Sequence, residues 1–545
     1  MFEDTNSAQE SGLSFDRRTA LKIVGAAGMS GAVLSSTTTA ASSDDEFDPI
    51  EATIADVISA INTEQATAEE ITEKYLDRIE AYDDELNSII TPNPDAIDRA
   101  KELDREFVDS GLVGPLHGVP ILLKDNYDTG DLPTSAGSVL LKDSVPPNDA
   151  FSVAQLREAG GIVLAKTNLH EFAYGGTTVS SLGGQTRNPY DLNRIPRGSS
   201  GGTAAGIGAN LGILGMGSDT CSSIRGPSTV TNIVGFRPSI GSISRDGIVP
   251  LSETQDTGGP MTRTVADTAV AMDVLAGYDP ADPATSRGVE KLPTGSDEDF
   301  TDYLDPNGLN GARIGAARDF FEAAPGFGEP RESDPEVIDV IDTALEDMEA
   351  MGATIIDPLE LPGLFDLLLT VSVIQYEFER DLNDYLDSLD SPPIDTLSDV
   401  VEAGEYTPSV EDALKTAVEV DSENLDENVD YLRKLAKRDE VQETLLSAMA
   451  KEDLDAIVYP SEILQPPLIK NGGTENNGGG NCIISASSGF PAIAVPSGFT
   501  SDNHLPASIE FLGRPFSDPL LIKLAYAYEQ GTMHRHPPKG YGSVT

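Results

Sequence analysis

The chain has no tryptophan, two cysteines, five histidines and few bases. Cys221 and Cys482 cannot form a disulfide framework and leave room for one bridge at most. Stability therefore rests on a core, which 545 residues can bury as one large domain or two to three ordinary ones. The histidines (His117, His170, His504, His534 and His536) offer no pair on one helix face for a metal, and the last two stand just before Pro537-Pro538. Lysine and arginine number 36 against 91 acidic residues, a formal net charge of −55. Phosphate backbones and anionic lipid repel such a chain, which argues against nucleic-acid binding. The acids lie in small groups, such as Asp44-Asp45-Glu46, Asp83-Asp84-Glu85 and Asp426-Glu427, with no single acidic tail. Carboxylates hold hydration where water activity is low, so this dispersed acidity predicts a halophile's surface.

What is present begins with an address. Ser14-Phe15-Asp16-Arg17-Arg18 precedes an uncharged run from Ile23 to Leu34, and a Thr/Ser/Ala stretch follows to Ser43. Paired arginines ahead of a short, weakly apolar segment resemble a twin-arginine export signal over residues 1–43. The run is too short to span a bilayer comfortably, and no cysteine ends it to carry a lipid. The expectation is an exported protein, extracellular or at the cell surface, and a cytoplasmic one if the arginine pair is fortuitous.

Residues 44–545 read as one domain. From Pro49 to about Asp109 the apolar spacing is helical, with Ile54, Val57, Ile58 and Ile61 on one face and Ile71, Tyr75, Ile79 and Tyr82 on the next. A turn-rich entry then leads into Ile121-Leu122-Leu123, a buried strand ending at Lys124. A helix from Ala150 to Ala159 and a strand at Ile162 to Ala165 follow, an alternation that predicts an α/β fold. Residues 198–260 are dense in Gly, Ser and Thr yet interleave Ile, Leu, Val and Phe, which predicts a tightly packed glycine-lined core rather than a linker. Residues 334–455 read as a mainly helical, acidic cap or flank, opened by a capping box of Ser333 and Glu336. Strands return at Ala456–Tyr459, Ala492–Val495 and Ala507–Phe511, and a helix from Leu520 to Gln530 closes the chain. The Gly/Asn loop from Asn471 to Gly480 is either a lid or a mobile excursion.

The chemistry concentrates in a pair of serines. Gly198-Ser199-Ser200-Gly201-Gly202 is followed by Gly217-Ser218-Asp219-Thr220-Cys221-Ser222-Ser223-Ile224-Arg225, with Lys124 upstream. Further stretches stand in order around them: Gly118-Val119-Pro120 before the strand to Lys124, Lys166-Thr167-Asn168-Leu169, Gly183-Gly184-Gln185-Thr186-Arg187-Asn188-Pro189, Gly235-Phe236-Arg237-Pro238 and Gln255-Asp256-Thr257-Gly258-Gly259-Pro260-Met261. Together they resemble the amidase signature family, from about Ile50 to Pro538. The resemblance implies a single α/β domain with a mixed twisted sheet surrounded by helices, and no metal or cofactor. It implies hydrolysis of a small-molecule or peptide amide by a Ser–Ser–Lys triad. Ser223 would be the nucleophile, Ser199 the bridging serine next to a cis peptide bond, and Lys124 the base. Backbone N–H groups of Thr220, Cys221, Ser222 and Ser223 would bind the oxyanion.

Within the family, three stretches resemble bacterial peptide amidases, which release ammonia from C-terminal carboxamides. They are Ser244 to Pro250, Gly277 to Thr285, and Ala525-Tyr526-Ala527-Tyr528-Glu529-Gln530. Two other functions stay open: the A subunit of the tRNA-dependent amidotransferase, against which the export signal counts, and a catalytically silent protein that keeps the fold for binding. One departure bears on activity. Where many members read Thr-Gly-Gly-Ser, this chain has Thr220-Cys221-Ser222-Ser223, and Cβ atoms there restrict the backbone. Cys221 is expected to be a small buried hydrophobe, Asp219 and Arg225 to support the loop, and His170 to be structural or superficial rather than a base.

Overall fold

An apolar run such as Ile121-Leu122-Leu123 gains most when both of its faces leave water, and the strand that ends at Lys124, paired along both edges with parallel neighbours, has helices packed against it. That strand, Pro120–Lys124, is buried along its whole length. The structure is a computed structural model that describes residues 46–294, 298–325, 331–470, 479–481 and 483–544. The export signal, Cys482 and most of the Asn471–Gly480 loop lie outside the described residues.

Eleven strands form one sheet: β1 (Ile89–Pro92), β2 (Pro120–Lys124), β3 (Ile162–Thr167), β4 (Leu214–Asp219), β5 (Val234–Arg237), β6 (Thr257–Thr262), β7 (Arg313–Ala316), β8 (Thr354–Ile356), β9 (Ala456–Pro460), β10 (Ala492–Phe499) and β11 (Pro506–Leu512). Their order is β1-β3-β2-β4-β6-β5-β10-β11-β9-β7-β8. The pairs β3–β2, β2–β4, β9–β7 and β7–β8 are parallel and the rest antiparallel, so the sheet is mixed. Helices pack around it, and one continuous apolar core joins the sheet to them. Four helices bear on the site: α1 (Gly201–Gly208), α2 (Arg225–Val230), α3 (Ile374–Asp387) and α4 (Val429–Lys451).

Two local expectations need correction. The region from Pro49 to Asp109 is not helical throughout, because β1 interrupts it and pairs antiparallel with β3. The preceding helix, Ala68–Leu86, stops where Asn87 turns left-handed (φ 54°), and the Asp83 carboxylate then accepts the N–H groups of Ser88 (2.9 Å) and Ile89 (3.1 Å). The helix Pro335–Ala350 is capped by Asp334 rather than by a Ser333–Glu336 box. Asp334 Oδ1 accepts from Glu336 N (3.0 Å), Pro335 fills the first helical position, and the Glu336 carboxylate instead accepts from Ser501 N (3.1 Å). The helical flank is present, with α3 and α4 as its longest members besides that helix, although β8 also falls inside residues 334–455.

Candidate active site

Lys124 ends β2, and the parallel register that sets Leu123 beside Met216 brings it against the end of β4. Its Nζ donates to Ser199 Oγ (2.7 Å), to Ser218 Oγ (2.9 Å) and to Ser218 O (3.4 Å). Asn126 Nδ2 also donates to Ser218 Oγ (3.0 Å), which fixes that hydroxyl beside the amine. Lys124 is fully buried, and loss of hydration pushes its pKa down to about 7 against the opposing pull of Asp219 and Asp256. A substantial neutral fraction at neutral pH follows.

Ser199 follows a cis Gly198–Ser199 peptide bond and leads into α1. Its carbonyl accepts from His170 N (3.0 Å). The start of α1 lies so close to Asn168 that a Cβ on Gly202 would fall 2.2 Å from Asn168 O, so only glycine fits there. Gly198 to Gly202 also spells a Gly-x-Ser-x-Gly pattern about Ser200. Ser200 is buried, however, and its hydroxyl donates to Ser218 O (3.2 Å), so it is not presented as an exposed nucleophile.

Ser223 stands in the loop between β4 and α2. It is 7% exposed where Ser199 and Ser200 are fully buried, and Ser222 beside it is half-buried, so the two loop serines lie nearer the surface than the pair at the start of α1. Among the described residues no hydrogen bond joins the Ser199 and Ser223 hydroxyls; Ser200 N ties the two segments by donating to Ser223 O (3.2 Å). The loop carbonyls are all occupied. Arg237 Nη1 holds Asp219 O, Gln255 Nε2 holds Thr220 O (2.9 Å), Arg225 Nη2 holds Cys221 O (2.7 Å) and Gly226 N holds Ser222 O (2.9 Å). In a trans peptide the next N–H points opposite to its carbonyl. Anchoring these four carbonyls therefore turns the N–H groups of Thr220, Cys221, Ser222 and Ser223 the other way, and none of them donates to another described residue.

A buried charge cluster supports the loop. Arg225 pairs with Asp219 (3.2 Å) and Glu510, and Arg237 pairs with Asp219 (3.0 Å). The two guanidiniums hold the Asp219 carboxyl below its ordinary value although burial opposes them. Asp219 and Arg225 thus serve the loop as expected, from a fully buried position. Cys221 is a free, buried thiol packed into the main core. Neither Cys221 nor Ser222 has a positive φ, so their side chains impose no left-handed strain. His170 is buried rather than superficial. Its Nδ1 accepts from Thr177 N (3.2 Å), and burial, aided by Lys124, pushes its pKa down to about 3. No group of three His, Cys, Asp or Glu side chains among the described residues is placed to hold a metal ion. Sequence reasoning overlooked Ser218, Gln255 and Arg237 as site supports. All three lie within the ordered motifs, but only strand pairing reveals what they touch.

The comparisons with known proteins agree with this architecture. The family model described as Amidase matches residues 70–522, so the chain belongs to the amidase family. It is an amide-hydrolysing enzyme with the amidase signature fold. It is similar to a probable amidase of Arabidopsis thaliana, 33% identical over 506 residues that cover 90% of this chain and 91% of the relative. It is also similar to the A subunit of the glutamyl-tRNA(Gln) amidotransferase of Carboxydothermus hydrogenoformans, 31% identical over 513 residues, covering 89% and 98%. Among solved structures, the native peptide amidase of Stenotrophomonas maltophilia superposes with a TM-score of 0.77 at 34% identity, covering 90% of this chain and 98% of that one.

Proposed function

We propose that the enzyme hydrolyses carboxylic amides, C-terminal peptide carboxamides among them, to acid and ammonia through Ser223, Ser199 and Lys124. The observation that carries this reading is the 2.7 Å contact between a fully buried Lys124 amine and Ser199 Oγ. An amide carbonyl is a poor electrophile, and a serine attacks it only when a base removes the hydroxyl proton. Neutral Lys124 takes a proton from Ser199 as Ser199 takes one from Ser223. The Ser223 oxygen bonds to the carbonyl carbon, and the oxyanion is received by the N–H groups of Thr220 to Ser223. Each such donor is worth roughly 3–4 kcal/mol in a transition state. The proton then returns through Ser199 to the departing nitrogen, the C–N bond breaks, and ammonia leaves. Water, activated by the same relay, releases the acid from Ser223. An unliganded relay is commonly looser than the reacting one, so substrate binding is expected to bring the two serine hydroxyls into contact.

The peptide carboxamide class is supported by the 34% identity to the Stenotrophomonas peptide amidase and by the three resembling stretches at Ser244–Pro250, Gly277–Thr285 and Ala525–Gln530. The test is ammonia release from a panel of small amides and amidated peptides in high salt, with Ser223→Ala and Lys124→Ala in parallel. Release from amidated peptides that disappears in both variants is the expected result. Folded wild type that leaves every amide intact would overturn the reading. The similarity to the amidotransferase relative gives a second reading, glutamine hydrolysis for transfer to a charged tRNA, and glutamine within the panel tests it. The net charge of −55 weighs against tRNA as a partner. The Arg17-Arg18 segment supports export as the working assignment, and fusing residues 1–43 to a reporter that requires folded export checks it.

A further inference from the structure

Two of the loop carbonyls are held by the loop's own exit, Cys221 O by Arg225 of α2 and Ser222 O by the first turn leading into α2, and Asp219 O is held by Arg237 of β5. Thr220 O alone is held by a side chain that the helical flank orients. Its one donor among the described residues is Gln255 Nε2 (2.9 Å), from the segment entering β6. Gln255 is buried, and its Oε1 accepts from Val373 N (3.2 Å), at the start of α3, and from Arg438 Nη1 (3.0 Å), on α4. Arg438 in turn donates to Ala486 O (2.9 Å). A backbone N–H and a guanidinium can only donate, so the carbonyl end of Gln255 faces them and its NH2 faces Thr220. The helical flank therefore sets which way the Gln255 amide points, and Gln255 sets which way the Thr220–Cys221 peptide points.

We propose that Gln255 is a positioning residue for the reaction: it locks the Thr220–Cys221 peptide so that the Cys221 N–H faces the oxyanion formed at Ser223, and it takes its own orientation from α3 and α4. This rests on the reading of Ser223 as nucleophile. Without Gln255, Thr220 O has no donor among the described residues, the orientation of its peptide is left to the Thr220 hydroxyl's bond to Asp256 (2.5 Å) and to the neighbouring anchors, and the transition state loses a well-aimed donor that the ground state hardly uses.

Gln255→Glu separates the two halves of the side chain. It keeps an acceptor toward Arg438 and Val373 N, and it replaces the donor toward Thr220 O with a second acceptor. Gln255→Met removes both contacts. On an amide the wild type hydrolyses, Gln255→Glu is expected to lower kcat by about 10²-fold while KM moves by less than about threefold. Inhibition by an aldehyde with the same acyl group, whose adduct with Ser223 carries the oxyanion, should weaken by a similar factor with the melting temperature retained. Gln255→Met should lose as much kcat and also melt earlier. Wild-type kcat and aldehyde inhibition in Gln255→Glu would overturn the proposal. So would a kcat loss with aldehyde inhibition intact, or losses in both variants that only follow the folded fraction. If wild type itself neither releases ammonia nor is labelled at Ser223 by a fluorophosphonate, the nucleophile assignment fails instead, which is a different outcome from a silent Gln255.

Discussion

Among the described residues Lys124 has no carboxylate in direct contact; its amine meets two hydroxyls and a carbonyl, and burial drives its pKa down to about 7. Only the neutral amine can accept the Ser199 proton, so kcat/KM should rise as pH increases through about 7 and level off above it. A pH–rate profile that stays flat across that range would remove Lys124 as the base. In the proposed mechanism Cys221 contributes its backbone N–H and not its thiol, so Cys221→Ala should keep kcat within about threefold, since a small buried side chain is exchanged for one slightly smaller. Steady-state turnover checks this, and loss of activity on the scale of Ser223→Ala would make the thiol a participant. At this scale the sequence offers Lys124, Ser199 and Ser223 as candidates because they are chemically distinctive and sit in ordered motifs. Gln255 and Ser218 carry no such mark. Their importance lies in what long-range folding sets beside them.

At the scale of elements, burial pattern decided what could be read. β2, β3, β9 and the first half of β10 are mostly β-branched and aliphatic runs, β11 alternates apolar residues with Ser508 and Glu510, and all five were legible. β6, Thr-Gly-Gly-Pro-Met-Thr, looks nothing like a strand, because two glycines and a proline oppose strand formation. It forms because its neighbour approaches closely: a Cβ on Gly259 would fall 2.2 Å from Phe236 O. The same reasoning applies to α1, where Asn168 O occupies the space a Gly202 side chain would need. Gly202→Ala is therefore expected to displace α1 and Ser199 with it, lowering the melting temperature and reducing turnover by at least about tenfold. A variant with wild-type melting and wild-type turnover would show that the segment yields without cost.

At the scale of the molecule, carboxyls govern behaviour. Burial pushes Asp128 and Asp273 up to about 7 and Glu529 up to about 8. In the unfolded chain such groups titrate near 4, so the folded state retains protons that the unfolded state has released. Their stabilisation is complete below about 4 and is lost as pH rises through about 7 to 8. Asp219 and Asp282 are shifted down by their arginines and act in the opposite sense, losing their contribution as pH falls through the acid range. The melting temperature should consequently be higher near pH 5 than near pH 9, and calorimetry at fixed ionic strength measures it. Molar salt should raise it further by screening a net charge of −55, an effect expected to be largest at alkaline pH.

Salt that screens this charge also removes the repulsion that keeps copies apart, since the Debye length falls to about 3 Å at 1 M. The rims of the sheet then matter. One rim is β1, four residues ending in Pro92, which has no N–H to offer; the other is β8, three residues long. Neither is a usable template for adding a foreign strand, so the sheet can lose its electrostatic protection in brine without becoming a nucleus for aggregation.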